Sequence, residues 1–306
     1  MKLMVFDVGG TDIKYSVMDE SLERNAAGSV PTPQDTQEHF FETLNALYRE
    51  HAGEVSGIAM SLPGIIDSRL GRCNGGGWLR YNQGKSIAPE LSALTGAPVH
   101  ISNDGKCAAY AELTAGALKG CQNAAVFIIG TGAGGGLIID GKIVNGKHFT
   151  AGEYSFMRLT NTDWDSGKSS SGVLCSTTGL LLRYREYAGL DPSTPLDGKQ
   201  FFKYVASGEE EAVRALEDFA MQVAMQITNM TILLDLEKVA IGGGISRQPV
   251  LIETIDSAVR KLYSNPGIYF DTALPRPEIV PCHFLSEANQ VGAYLNFVKA
   301  REEEQV

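Results

Sequence analysis

Short apolar runs punctuated by glycine organise the chain. Residues 3–8 are apolar except for Asp7 and read as a buried strand. Gly9, Gly10 and Thr11 turn the chain, and residues 13–18 read as a second strand. The spacing predicts a helix over 37–51 and a strand over 55–62, closed by Pro63 and Gly64. Residues 69–85, rich in Gly and Asn, predict a loop or hairpin. A short helix at 87–94 and a strand at 98–102 follow. Asp104 then opens a helix over 105–118 with an Ala-rich face. Next come a strand at 124–129, a glycine turn at 130–136, a returning strand at 137–139, and an Asp140-Gly141 hairpin signal before Ile143 and Val144. Residues 160–171 are polar and predict a loop. Phe219, Val223, Ile227 and Met230 recur at helical spacing within a helix predicted over 217–234. A strand at 239–241 runs into Gly242-Gly243-Gly244, and a last helix over 286–301 ends in a charged, fraying tail at 301–305.

Strand, glycine turn, strand occurs twice, at 3–18 and at 124–144. This predicts two related lobes, each opening with a hairpin whose turn faces a shared cleft. A chain of 306 residues with 43% hydrophobic residues is long and apolar enough for both. The formal net charge of −10 argues against nucleic acid and anionic membrane surfaces as main partners. The five cysteines show no C-x-C or C-x-x-C spacing, which excludes a local zinc cluster and suits a reducing compartment. The first apolar run is too short for a signal peptide, and no stretch is long enough to span a bilayer. A cytoplasmic protein is the expectation.

The glycine turns carry the chemistry. Gly130, Gly132 and Gly135 satisfy G-x-G-x-x-G, but a returning strand follows where a dinucleotide site needs a helix. Gly141, Gly146 and Lys147 open a Walker-like pattern, yet His148 stands where Ser or Thr is required. Two β-hairpin phosphate clamps remain. Glycine reaches positive φ and admits a ligand close to the backbone, and successive N–H groups form an anion nest. Thr11 and Thr131 add hydroxyl donors. Asp7, at the end of the first strand, is placed to face Mg²⁺ or its water shell. The third cluster, Gly242 to Gly244, offers backbone against which an adenine ring or ribose can lie. Asn103-Asp104 lies between a strand and a helix. Helix capping alone accounts for Asp104, and a general base is the alternative.

The ordered runs DVGGTDIK (Asp7 through Lys14), Asn103-Asp104, GTGAGGG (from Gly130), Ala151-Gly152-Glu153 and IGGG (ending at Gly244) resemble the motifs of the ROK family of repressors, open reading frames and kinases. The resemblance covers nearly the whole chain. It implies an α/β chain of the two-lobed actin/hexokinase-type (ribonuclease H-like) ATPase fold, with ATP and a sugar in the interlobe cleft. The lobes would be 1–115 plus 287–306 and 116–286. It further implies a homodimer. It assigns Asp104 as general base, Asn103 and Glu153 as sugar ligands, and Asp7, Gly9, Gly10, Thr11, Lys14, Gly130, Thr131, Gly132, Gly134, Gly135, Gly243 and Gly244 to ATP and its Mg²⁺.

The chain departs from the zinc-containing members. Phe156 stands where they carry histidine, and their cysteine cluster is replaced by a polar run from Asp163 to Gly172 followed by a lone Cys175. No structural zinc is expected. The run from Phe149 to Met157 is similar to that of zinc-free β-glucoside kinases, so phosphorylation of a 6-hydroxyl is the leading expectation. Glucose, a β-disaccharide and N-acetylmannosamine all stay open as substrates. Phe156 suits stacking on a sugar or aglycone. Trp78 fits either a pocket cap or core packing, and the helix holding Arg183, Tyr184, Arg185 and Tyr187 reads as an exposed face. A sugar-responsive regulator is the different class, disfavoured by the charge and by a chain that starts at the first phosphate strand.

Overall fold

The computed structural model describes residues 1–162, 165–264 and 274–304. Asp163 and Trp164 of the polar run, and Gln305 of the tail, lie outside the described residues.

The chain divides into two compact units. The first comprises residues 1–111, 145–151 and 287–306, the second 112–144 and 152–286. The short segment 145–151 thus joins the first unit, where Lys106 Nζ donates to the Phe149 carbonyl at 2.7 Å.

In the first unit, a sheet runs in the order β3-β2-β1-β4-β8. It is built from β1 (Leu3–Val8), β2 (Asp12–Met18), β3 (Asn25–Pro31), β4 (Ile58–Leu62) and β8 (Val99–Asn103). β1 pairs antiparallel with β2 and parallel with β4, and β4 pairs parallel with β8. β1 and β4 are buried along their whole length, as strands covered on both faces must be. The helices α1 (Gln37–His51) and α2 (Ile87–Thr95) supply the crossovers. Thr36 caps α1 by accepting from the His39 amide. Residues 69–85, predicted as loop or hairpin, contribute to a small sheet of β5 (Ile65–Asp67), β6 (Arg72–Gly75) and β7 (Lys85–Ser86). α3 (Asp104–Ala115) starts directly at the end of β8, and α9 (Ala288–Glu303) packs against it so closely that a Cβ on Gly292 would meet the Cys107 carbonyl at 1.8 Å. α9 stays helical through Glu303, so the charged tail is mostly ordered helix.

The second unit repeats the arrangement. Its sheet runs β11-β10-β9-β12-β13, from β9 (Ala124–Ile129), β10 (Ala133–Ile139), β11 (Lys142–Ile143), β12 (Lys238–Gly242) and β13 (Glu278–Pro281). Antiparallel and parallel pairings fall in the same places. α4 (Ser171–Leu174), α5 (Thr177–Tyr187), α6 (Gly198–Ala206) and α7 (Glu210–Leu234) lie between β11 and β12, and α8 (Pro249–Tyr263) lies between β12 and β13. α7 begins seven residues before its predicted start. It buries Ala212, Ala215, Leu216, Phe219, Ala220, Val223, Ile227 and Met230, at the period of a helix. On α5, Tyr184 is buried in the core rather than exposed, and its hydroxyl donates to Glu209 at 2.6 Å.

Candidate active site

Asp7 sits on the buried strand β1, one residue before its end. Its register partners are Lys14 on β2 and Ser61 on β4. Asn289, in the first turn of α9, donates to Asp7 Oδ1 at 2.9 Å, and Lys14 Nζ stands 3.9 Å from Oδ2. Burial pushes the Asp7 carboxyl above its ordinary pKa, although Asn289, Lys14 and Ser61 all pull it down. The carboxylate is therefore short of compensating positive charge. Among the described residues, no group of three or more His, Cys, Asp or Glu side chains forms a metal cage. One buried, under-compensated carboxylate fits Mg²⁺, which keeps several waters and takes its other ligands from phosphate.

The first glycine turn follows. Gly9 N–H donates to the Asp12 carbonyl at 2.9 Å and closes the hairpin. The outward carbonyls are all taken from behind. Thr32 Oγ1 donates to Gly9 O, Gln34 Nε2 donates to Gly10 O, each at 2.8 Å, and Thr32 N–H donates to Thr11 O at 2.8 Å. Among the described residues, the Gly10 and Thr11 amides have no protein acceptor. A pair of amides with their carbonyls tied back is an anion nest. Neither Gly9 nor Gly10 has positive φ, contrary to expectation. Space decides here, because a Cβ on Gly9 would lie 3.0 Å from the Asp12 carbonyl.

The second turn uses the same device with different parts. Gly130 N–H donates to Gly132 O at 3.0 Å. The N-terminus of α5 ties the carbonyls back: Thr177 N–H donates to Gly130 O at 2.9 Å, and Thr178 Oγ1 donates to Thr131 O at 3.0 Å. Ser176 caps that helix by accepting from Gly179 N–H. Among the described residues, the Thr131 and Gly132 amides have no protein acceptor. The turn is shorter than predicted, since Gly134, Gly135 and Gly136 already belong to β10. At Gly135 (φ 151°) a Cβ would lie 1.9 Å from the Val126 carbonyl and 2.7 Å from the Tyr154 ring. Tyr154 stacks on Phe127 at 5.5 Å and donates to the Gly136 carbonyl at 3.0 Å. Burial alone pushes its phenol far above the ordinary range. Glu153, half-buried, immediately precedes this fixed ring.

The third glycine cluster abuts the second turn. Gly243 adopts φ 100°, and a Cβ there would strike the Ile129 carbonyl at 2.2 Å, one residue before Gly130. Ser246 Oγ donates back to Gly243 O at 2.8 Å, and Gly244 opens a short 3-10 turn facing open space.

Asn103 and Asp104 join β8 to α3. The capping bond comes from Asn103, not from Asp104 as expected, since Asn103 Oδ1 accepts from Lys106 N–H at 3.0 Å. Asn103 Nδ2 donates to the Gly64 carbonyl at 2.9 Å and to Asp104 Oδ1 at 3.0 Å. Gly105 N–H donates to the same Asp104 oxygen at 2.8 Å. Asp104 is half-buried and its Oδ1 is fixed at a helix N-terminus, where a negative charge is favoured. Asn103 Oδ1 keeps one lone pair for a further donor.

The first unit carries Asp7, Gly9, Gly10, Thr11, Lys14, Asn103 and Asp104 toward one end of the strands of one sheet. The second does so for Gly130, Thr131, Gly132 and Gly243, with Glu153 beside β10. Sequence reasoning missed Thr32, Gln34, Thr177, Thr178 and Asn289. The capping signal Ser176-Thr177-Thr178 just before an apolar run was readable. Asn289 was not, because its partner is 282 residues away.

Residues 4–297 match the ROK family. The chain belongs to that family. It is 32% identical over 276 residues to an N-acetyl-D-glucosamine kinase of Vibrio atlanticus, covering 84% of this chain and 88% of the relative. It is 30% identical over 296 residues to a β-glucoside kinase of Listeria monocytogenes, covering 95% of this chain and 99% of the relative. Among solved structures, a ROK family protein from Streptococcus pneumoniae in complex with sucrose superposes with a TM-score of 0.85 at 28% identity, over 100% of both chains. The fold is the actin/hexokinase type.

Proposed function

We propose that this ROK family member, a sugar kinase as its curated relatives are, transfers the γ-phosphate of ATP to the 6-hydroxyl of a hexose or β-glucoside, with Asp104 as general base. The observation that carries the reading is the fixed carboxylate of Asp104. Two donors hold its Oδ1 at the start of α3, in the same unit as an anion-binding turn.

The Gly10 and Thr11 amides, and those of Thr131 and Gly132, hold phosphate oxygens. Lys14 adds charge beside Asp7. Asp7 would hold Mg²⁺, directly or through water, and the ion would supply charge neutralisation at the phosphates. Gly243 and Gly244 take the adenosine. Glu153 accepts from ring hydroxyls of the sugar, and Asn103 Oδ1 takes one more. Asp104 removes the hydroxyl proton while the hydroxyl oxygen bonds to the γ-phosphorus. The bond from that phosphorus to the bridging oxygen breaks, ADP leaves, and the proton rests on Asp104. Base catalysis of this kind is worth about 10²–10⁴-fold. The working enzyme is a zinc-free, cytoplasmic homodimer in this reading.

Coupled ADP release, measured with glucose, cellobiose, N-acetylglucosamine, N-acetylmannosamine, mannose and fructose, tests the proposal. Sugar-dependent release that needs Mg²⁺ and survives a zinc-selective chelator is expected. ADP release no faster with any sugar than without one would contradict it. Loss of cooperative folding on zinc removal would contradict the zinc-free reading.

A further inference from the structure

Trp78 is 80% exposed, against the habit of so large an apolar ring. It is not a core residue, and its place is unusual. The indole lies along Gly10 of the first glycine turn: a Cβ added to Gly10 would sit 3.7–3.8 Å from Trp78 Cβ, Cγ and Cδ1. The loop that carries it is firmly held. The neighbouring Leu79 is buried and its N–H donates to the Gly76 carbonyl at 2.9 Å. Gly77 packs on the backbone of Gly64, and Gly64 O accepts from Asn103 Nδ2, the same group that fixes Asp104. One side of the Trp78 loop therefore touches the phosphate turn, and the other is tied to the residue that positions the base.

We infer that Trp78 is a specificity residue, an aromatic platform for a second pyranose ring of the acceptor, beyond the ring that receives the phosphate. The inference rests on the kinase reading above. An acceptor held at Asp104 with its hydroxyl directed to the phosphate turn lies beside the loop that joins the two. With most of the side chain exposed, apolar ring surface remains for the C–H face of a sugar. In this reading a monosaccharide occupies the Asp104 site alone, and the second ring of a β-linked disaccharide covers the indole. The substrate class this favours is a β-glucoside with a sugar aglycone.

The test uses the full chain. kcat/KM is measured by coupled ADP release with cellobiose and with glucose for the wild type, Trp78→Ala and Trp78→Phe. Trp78→Ala should lower the cellobiose value about tenfold more than the glucose value, and Trp78→Phe should restore most of the difference. A readout independent of turnover uses Trp164→Phe, which leaves Trp78 as the sole indole of a chain with two Trp. Cellobiose should then shift the emission saturably without nucleotide, and glucose should not.

Equal losses on the two sugars, or an emission that ignores cellobiose while the enzyme turns it over, overturns the inference. So does turnover of glucose without cellobiose. If Phe156→Ala (a ring 74% exposed) takes the selective loss instead, the platform is that ring and not Trp78. A wild type that phosphorylates no sugar sinks the kinase reading and this inference with it, a result distinct from active enzyme with an inert Trp78.

Discussion

Asp7 and Asp104 reach their places in opposite ways. Asp104 is held by immediate neighbours, Asn103 and Gly105, so its setting is local and was readable as an Asn-Asp pair between strand and helix. Asp7 depends on Asn289, 282 positions away, and no local pattern announces that bond. The two settings predict different mutational behaviour. Asn103→Ala removes the acceptor for Lys106 N–H and a donor to Asp104, so stability should fall by about 1 kcal/mol in denaturant titration. The same variant should lose turnover by more than it loses nucleotide affinity. Gly135→Ala meets the Val126 carbonyl and the Tyr154 ring, and a cost of about 1–3 kcal/mol is expected, read as a lowered denaturant midpoint. His100 on β8 shows a third behaviour. Burial, outweighing Glu303 and Glu304, depresses its pKa. The unfolded chain then binds the His100 proton more readily than the folded one. Stability from this residue is present above about pH 6.5 and is lost as pH falls toward the depressed value. Unfolding free energies measured at pH 7.5 and 5.5 should therefore diverge less in His100→Gln than in the wild type.

The elements explain which parts of the fold are visible in advance. β1, β9 and α1 lie where their apolar patterns place them, because continuous burial and a single buried helix face write themselves into composition. β3 was not anticipated. It is an edge strand of mostly exposed residues, whose pairing with β2 owes nothing to side-chain pattern. β10 was cut short because Gly134, Gly135 and Gly136 look like turn, yet close approach to Val126 and Tyr154 requires glycine at position 135 within the strand. The start of α7 was hidden by Glu210 and Glu211, which suit a helix first turn but carry no apolar period. Phe219 sits in the middle of that helix and is fully buried. Phe219→Ala should cost about 3–5 kcal/mol in chemical unfolding, far more than any change on the exposed side of α7. The glycine turns were legible as turns, but the contacts that orient them were not. What orients them is the tying of carbonyls by Thr32, Gln34, Thr177 and Thr178, and those partners follow each turn at different distances along the chain.

At the scale of the molecule, each unit carries the same strand order and the same mixture of parallel and antiparallel pairs, with one glycine turn after its first strand. Two copies of one topology give each unit a glycine turn with a pair of amides that have no protein acceptor among the described residues. The formal net charge of −10 is no obstacle to the proposed nucleotide, since backbone amides can recognise an anion without basic side chains. Among the described residues no helix is long and apolar enough to cross a membrane. The repeat was visible in the sequence through its two hairpins, while the segment 145–151, which packs with the first unit, was not, because its anchor is a lysine on a distant helix. In the proposed reaction one carboxylate, Asp104, accepts the proton during phosphoryl transfer. Single-turnover transfer by Asp104→Asn, measured beside nucleotide binding to the same variant, tests it directly. Nucleotide affinity should be unchanged and the transfer rate lower by about 10²–10⁴-fold. Transfer at the wild-type rate would contradict it.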